Sequence, residues 1–294
     1  MARSELAQRV AVAGVGIPLA VFLIYLGGWP LAAVLAVIAG GAAAEVYRLA
    51  ARRGVRAFAP PGIAAAALFV LVAAARPEAS AAALLWPLML AFVLGVGAAA
   101  VWARGVEGAP LAVVSVTALG AILPGGTLAY ALFLRHLPLG AGDARIGTAL
   151  VVFAVGLTWI NDACAYFAGR RWGRHRLIPR VSPGKTVEGA VAGVVGAVVV
   201  GGVFAALALE GWLELPIGPV AGAIGGALIG VIAQIGDLVE SLYKREAGVK
   251  DSGRVLPGHG GFLDRFDALF YTLPVAYWYI GGVVALSMGG SAWR

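Results

Sequence analysis

Residues 217–246 read IGPVAGAIGGALIGVIAQIGDLVESLYKRE. The first twenty carry no charge and a single amide, Gln234. A helix needs about 20 such residues to cross the roughly 30 Å hydrocarbon layer of a bilayer. Gly222, Gly226 and Gly230 recur at spacing four and mark a face for close helix contact. Polarity then changes abruptly. Asp237, Glu240, Ser241 and Lys244 stand at i, i+3, i+4 and i+7 and share one helical face, while Leu238, Val239 and Leu242 take the other positions. Glu240 and Lys244 can form an ordinary i, i+4 ion pair. Asp237 has no cation at i+4, which favours a metal or proton role.

The rest of the chain has the same character. It has 294 residues, is 61% hydrophobic and 13% charged, and has a mean hydropathy of +0.91. A soluble domain is about half apolar and about a quarter charged, so the expected class is an all-α integral membrane protein forming a single polytopic domain. Nine apolar stretches are long enough to span, at about 10–28, 30–47, 57–75, 80–102, 109–134, 147–169, 187–208, 217–242 and 266–288. They lack the period-two alternation of a barrel. With the N-terminus in the cytoplasm, 18 of the 22 Lys and Arg residues fall on the cytoplasmic side, and only Arg76, Arg135, Arg145 and Arg294 on the other. That bias supports the span count and predicts an extracytoplasmic C-terminus. Arg3 and Arg9 before an apolar run also suit a signal peptide, but no small-residue cleavage site follows Gly28. The lone Cys164 excludes an intrachain disulfide. The net charge of +7 is the excess expected of cytoplasmic loops, and no groove-reading pattern accompanies it, so no nucleic-acid partner is expected.

Seven acids, Glu45, Asp162, Glu188, Asp237, Glu240, Asp264 and Asp267, fall within or at the ends of the apolar stretches, all toward the predicted cytoplasmic side. Acids in a span are costly and tend to have a function. Asp264 and Asp267 form a pair at i, i+3. Carboxylates converging from two helices repel unless a cation sits among them, and hard oxygen ligands point to Mg2+ or a similar ion. With three His and one Cys, zinc is not expected. Between the two acidic sets runs KREAGVKDSGRVLPGHGG, residues 244–261. Lys244, Arg245, Lys250, Arg254 and, just beyond, Arg265 suit phosphate. Gly258, Gly260 and Gly261 around His259 allow backbone N–H groups to approach an anion. Together these read as a metal–polyphosphate site beside a helix N-terminus.

A second basic loop, GRRWGRHRLIPRVSPGKTVEG at 169–189, carries Ser182, Lys185, Thr186 and Glu188 just before the seventh stretch. Gly184-Lys185-Thr186 resembles the end of a Walker A loop. The Gly required five residues earlier is Pro179, however, and no preceding strand in an α/β domain is expected. Gly189, Gly193 and Ala197 match the small residues of 222–230, so the seventh and eighth helices are expected to pack closely and bring Lys185 and Glu188 toward Asp237.

Ser241-Leu-Tyr-Lys-Arg followed by residues 250–267, KDSGRVLPGHGGFLDRFD, resembles the signature of the phosphatidate cytidylyltransferases, or CDP-diacylglycerol synthases. The likeness spans 27 positions, with SPGKTVEG and the Asp162 region resembling the same family. Two positions depart from the usual pattern, Tyr243 and Gly184, and the latter removes one candidate phosphate contact. The resemblance implies a reaction of CTP with phosphatidate at the cytoplasmic face of the cell's inner membrane, with Mg2+ present as one or two cations. It implies catalytic roles for Asp237, Asp264, Lys244 and His259. It implies substrate contacts at Ser182, Lys185, Thr186, Ser241, Arg245, Lys250, Asp251, Gly260, Gly261 and Arg265. Metal contacts are implied at Asp237, Asp264, Asp267, Glu240 and Asp162, and so is a homodimer. Intramembrane acids also suit a transporter, which predicts broken helices and an inverted repeat, and no repeat is visible. Another lipid phosphate as acceptor stays open.

Overall fold

The computed structural model describes residues 3–76, 79–139, 143–253 and 260–287. Among them are ten α-helices: α1 (Arg3–Leu26), α2 (Gly28–Arg52), α3 (Ala59–Ala75), α4 (Ala79–Ala103), α5 (Pro110–Ala121), α6 (Thr127–Arg135), α7 (Ala144–Trp172), α8 (Val187–Phe204), α9 (Pro219–Glu246) and α10 (Leu263–Ser287). One π-helical segment, Ile122–Gly126, joins α5 to α6, and another, Ala205–Glu210, extends α8. Seven helical runs among the described residues are long and apolar enough to cross a membrane, and Gly16–Leu26 and Ala59–Ala75 are shorter apolar helices. These nine fall on the nine stretches expected from sequence. Helices satisfy their own backbone groups, which is what a bilayer demands.

Helix packing follows from small side chains. A Cβ at Gly201 would meet the Gly222 carbonyl, and one at Gly226 would meet the Ala197 carbonyl, so α8 and α9 touch backbone to backbone. The expected face of α8 is split, however. Gly189 and Gly193 lie against Ala165 and Asn161 of α7 rather than against α9. On the outer face of α8, Val191, Val195, Val199 and Val203 are 52–59% exposed, a continuous branched-aliphatic ridge suited to lipid. Inside, Phe69, Phe133, Phe153, Phe270 and Tyr277 are fully buried where α3, α6, α7 and α10 meet. The buried Tyr47 hydroxyl donates to the Thr117 carbonyl at 2.9 Å, fastening α2 to α5. The Thr158 and Thr272 hydroxyls, 3.1 Å apart, join α7 to α10.

One expectation is corrected. The 169–189 loop is not wholly irregular. It folds into an antiparallel hairpin of β1 (Arg176–Ile178) and β2 (Ser182–Thr186), and β2 runs straight into α8. A strand therefore does precede the helix at Gly184-Lys185-Thr186. It belongs to a two-stranded ribbon instead of an α/β sheet, and the Walker A resemblance ends there.

Candidate active site

Four segments distant in sequence converge at one end of the bundle: the last turns of α2, the hairpin, the end of α9 and the start of α10. The hairpin is tied at both ends. Thr186 caps α8 by accepting from the Gly189 N–H at 3.1 Å, and Glu188 folds back to accept from the Arg174 and His175 amides at 3.1 and 3.2 Å. His175 Nδ1 lies 2.6 Å from Glu188 as well. The Arg245 guanidinium bridges two loops by donating to the Val181 carbonyl at 3.3 Å and the Val249 carbonyl at 2.9 Å. β2 then aims Lys185 at α9, where its ammonium lies 2.6 Å from Asp237. Ser241 approaches the other Asp237 oxygen at 3.4 Å.

Asp237, Glu240 and Asp267 bring one carboxylate oxygen each to within 4.8 Å of one another. The i, i+3 spacing of α9 supplies the first two, and the first turns of α10 supply the third. Both Glu240 oxygens are buried, and among the described residues they meet no hydrogen-bond donor other than the Lys244 ammonium, 2.5 Å away. Lys244 is shared, since its other partner is Asp264 at 2.8 Å. Among the described residues, Asp237, Glu240, Asp264 and Asp267 gather around the Lys185 and Lys244 ammonium groups. Three hard oxygen donors so close fit a divalent cation. The residues present therefore match the Mg2+ expected from sequence.

Asp264 sits beside this trio and is not one of the three. Its oxygens are taken up by Lys244, by the Ser252 N–H and hydroxyl, both at 2.9 Å, and by the Gly261 N–H at 2.8 Å. The two described glycines of the turn, Gly260 and Gly261, thus pack on the protein's own acids. Gly260, at φ +79°, packs on Asp264, while Gly253 and Gly261 leave room for the oxygens of Glu45. Asp162, on α7, accepts from Asn161 at 3.2 Å and lies within electrostatic range of Asp237 and Lys185, outside the group of three. Asn161 is held in turn by Gln234 at 3.1 Å. Ser182 opens β2, and Lys250, Asp251 and Arg265 are exposed around the rim. His259 lies outside the described residues, as do Arg254 and Gly258.

Sequence reasoning gave Glu45 no role at the site. In the fold this fully buried carboxylate of α2 accepts from the Phe262 N–H at 3.1 Å, the Leu263 N–H at 2.8 Å and the Ser252 hydroxyl at 2.8 Å. The only sequence signal was an acid inside an apolar stretch, since its partners lie more than 200 residues away.

A family model described as the cytidylyltransferase family matches residues 7–282. A phosphatidate cytidylyltransferase of Synechocystis sp. is 33% identical over 93% of this chain and 96% of its own. One from Bacillus subtilis is 38% identical over 55% of this chain and 56% of its own. Another, from Staphylococcus saprophyticus, is 45% identical over 44% and 48% respectively.

Proposed function

The chain belongs to the cytidylyltransferase family, and on that premise we propose that it transfers the CMP group of CTP to phosphatidate, forming CDP-diacylglycerol and pyrophosphate. The observation that carries this reading is the pairing of a three-carboxylate group with two lysines, Lys185 and Lys244, at the ends of α9 and α10. Both reactants are anions, so the site must supply cations to bring them together.

A phosphatidate oxygen attacks the α-phosphorus of CTP, and the bond from that phosphorus to the bridging oxygen of the β-phosphate breaks, releasing pyrophosphate. A phosphate monoester is already ionised near neutral pH, so no strong base is required. Mg2+ held by Asp237, Glu240 and Asp267 would neutralise phosphate charge and steady the leaving group. Lys185 and Lys244 exchange their carboxylate partners for phosphate oxygens as substrate arrives. The Asp264 oxygen that Lys244 holds would then be free to join the acids that hold the cation. Lys250 and Arg265 face the polyphosphate from the rim. Ser182, Ser241 and Asp251 line the nucleotide side, while Thr186 caps α8 and Gly260 and Gly261 pack on Asp264, a change from the substrate contacts expected of them. His259 acts as a positioning or leaving-group contact. Arg245 works differently from the phosphate role expected of it: bound to two carbonyls, it holds the loops that present Lys185 and Lys250.

The site faces the cytoplasm, where CTP and Mg2+ are available, and the protein is a multi-pass protein of the inner membrane. The charge bias along the sequence supports this orientation. The test is purified protein with labelled CTP, phosphatidate and Mg2+. Lipid-linked CMP is the expected product, and its absence overturns the reading. Parallel reactions with another lipid phosphate, and with the other nucleoside triphosphates, decide acceptor and base.

A further inference from the structure

Glu45 lies on α2, in the half of the molecule that contributes nothing else to the carboxylate cluster. Its side chain is fully buried, at 0% exposure. Nothing in the proposed chemistry uses it. Its neighbourhood is nevertheless built around it. One oxygen accepts from the Phe262 N–H and the other from the Leu263 N–H, two of the donors that the start of α10 leaves without intrahelical partners. A negative charge at that end also complements the helix dipole. The Ser252 hydroxyl lies 2.8 Å from Glu45 and 2.9 Å from Asp264, so one side chain connects the two acids. The absence of a Cβ at Gly253 and at Gly261 makes room for the Glu45 oxygens. Arg48, one turn further along α2, approaches Glu45 at 3.5 Å from the rim.

We infer that Glu45 is a positioning residue for the active site, fixing through Ser252, Phe262 and Leu263 where α10 begins and so where Asp264 and Asp267 stand relative to Asp237. The inference rests on the proposed nucleotidyl transfer for its kinetic readout. It gives the N-terminal helices a share in the site: α2 is the fixed post against which Ser252, Phe262 and the first turn of α10 are set. Lys244 and the Gly261 N–H hold the Asp264 carboxylate itself, and Glu45 adds the tie on the two amides that open α10.

The experiment compares wild-type enzyme with Glu45→Gln and Ser252→Ala. Glu45→Gln keeps the size and loses the charge and one acceptor. Turnover per folded molecule is expected to fall about 10- to 100-fold, the usual cost of removing a partner that orients a metal-binding group. The KM for CTP is expected to stay within about threefold, since the CTP-binding side chains are untouched. In the same preparation, hydrogen exchange at the Phe262 and Leu263 amides should accelerate while the α7–α9 amides keep their protection. Ser252→Ala should show a smaller fall of the same kind, and it carries the kinetic test if Glu45→Gln does not fold. Unchanged amide protection at Phe262 and Leu263 overturns the inference, as does turnover per folded molecule within twofold of wild type. A wild-type enzyme inactive with CTP and phosphatidate overturns the reaction instead, and the exchange measurement still decides the role of Glu45.

Discussion

The ammonium of Lys185 lies 2.6 Å from the Asp237 carboxylate, joining a β-hairpin residue to a membrane helix 52 positions further along the chain. The contact comes about because α8 and α9 meet backbone to backbone, and β2 runs directly into α8. An ion pair with its two side chains 25% and 35% exposed contributes only about 0–1 kcal/mol to stability. Its value therefore lies in where it holds the charge.

Lys185→Ala is expected to lower kcat/KM by about 100-fold or more, the scale seen when one donor to a developing phosphate charge is removed. The melting temperature in detergent should move by no more than a few degrees. A loss of activity that tracks a loss of folded protein would contradict this assignment.

Asp237→Asn and Asp267→Asn are each expected to abolish turnover while circular dichroism and gel filtration stay those of wild type. Chelation with EDTA should silence the wild-type enzyme, and Mg2+ should restore it. Ligand binding stabilises a folded state by about 2.7 kcal/mol at a hundred times Kd, so Mg2+ should raise the wild-type melting temperature and leave that of Asp237→Asn unmoved. A full Mg2+ response in Asp237→Asn would remove this residue from the cation site.

Asp264→Asn should differ in kind. Its carboxylate receives the Ser252 and Gly261 amides as well as Lys244. Loss of turnover is therefore expected together with faster proteolysis within residues 247–262. Inactivity with wild-type protease resistance would limit Asp264 to chemistry alone.

Two glycines should separate cleanly. A Cβ at Gly261 would fall on the Glu45 oxygens, whereas one at Gly184 meets nothing within 4 Å. Gly261→Ala is expected to lose most activity and several degrees of melting temperature, and Gly184→Ala to leave both unchanged. Thermal melts and initial rates measured on the same samples decide the matter.

Sidedness can be read with single cysteines in a Cys164→Ala background. Glu246→Cys, at the end of α9, is expected to react with an impermeant maleimide only in inverted vesicles. Glu214→Cys, before α9, should react only in right-side-out vesicles. The opposite pattern would reverse the proposed orientation.

The helices were legible because bilayer-length apolar runs are a strong signal, and all nine stretches fall on helical elements. The approach of Lys185 to Asp237 was legible from small residues at spacing four, of which Ala197, Gly222 and Gly226 do meet between α8 and α9, whereas Gly189 and Gly193 pack on α7. The hairpin was not, since strands of three and five residues leave almost no periodicity to read. Nor were the partners of Asp264 and Glu45. Sequence identifies an acid and a glycine turn, but which oxygen receives which N–H depends on how helices 200 residues apart come together. The Gly261 N–H looked available to a substrate phosphate and is engaged by Asp264. Glu188, expected beside Asp237, is instead held by the backbone of the hairpin it follows.

The reach of Glu45 across 218 residues to the Leu263 amide has a consequence for biosynthesis. A nascent chain threads its helices into the bilayer in order, and α2 is in place long before residue 263 leaves the ribosome. Asp264 and Asp267 arrive last, to be set against a helix already in place. Nucleotidyl transfer is thus a property of the finished polypeptide, and chains truncated before α10 would lodge in the membrane without consuming its lipid phosphate.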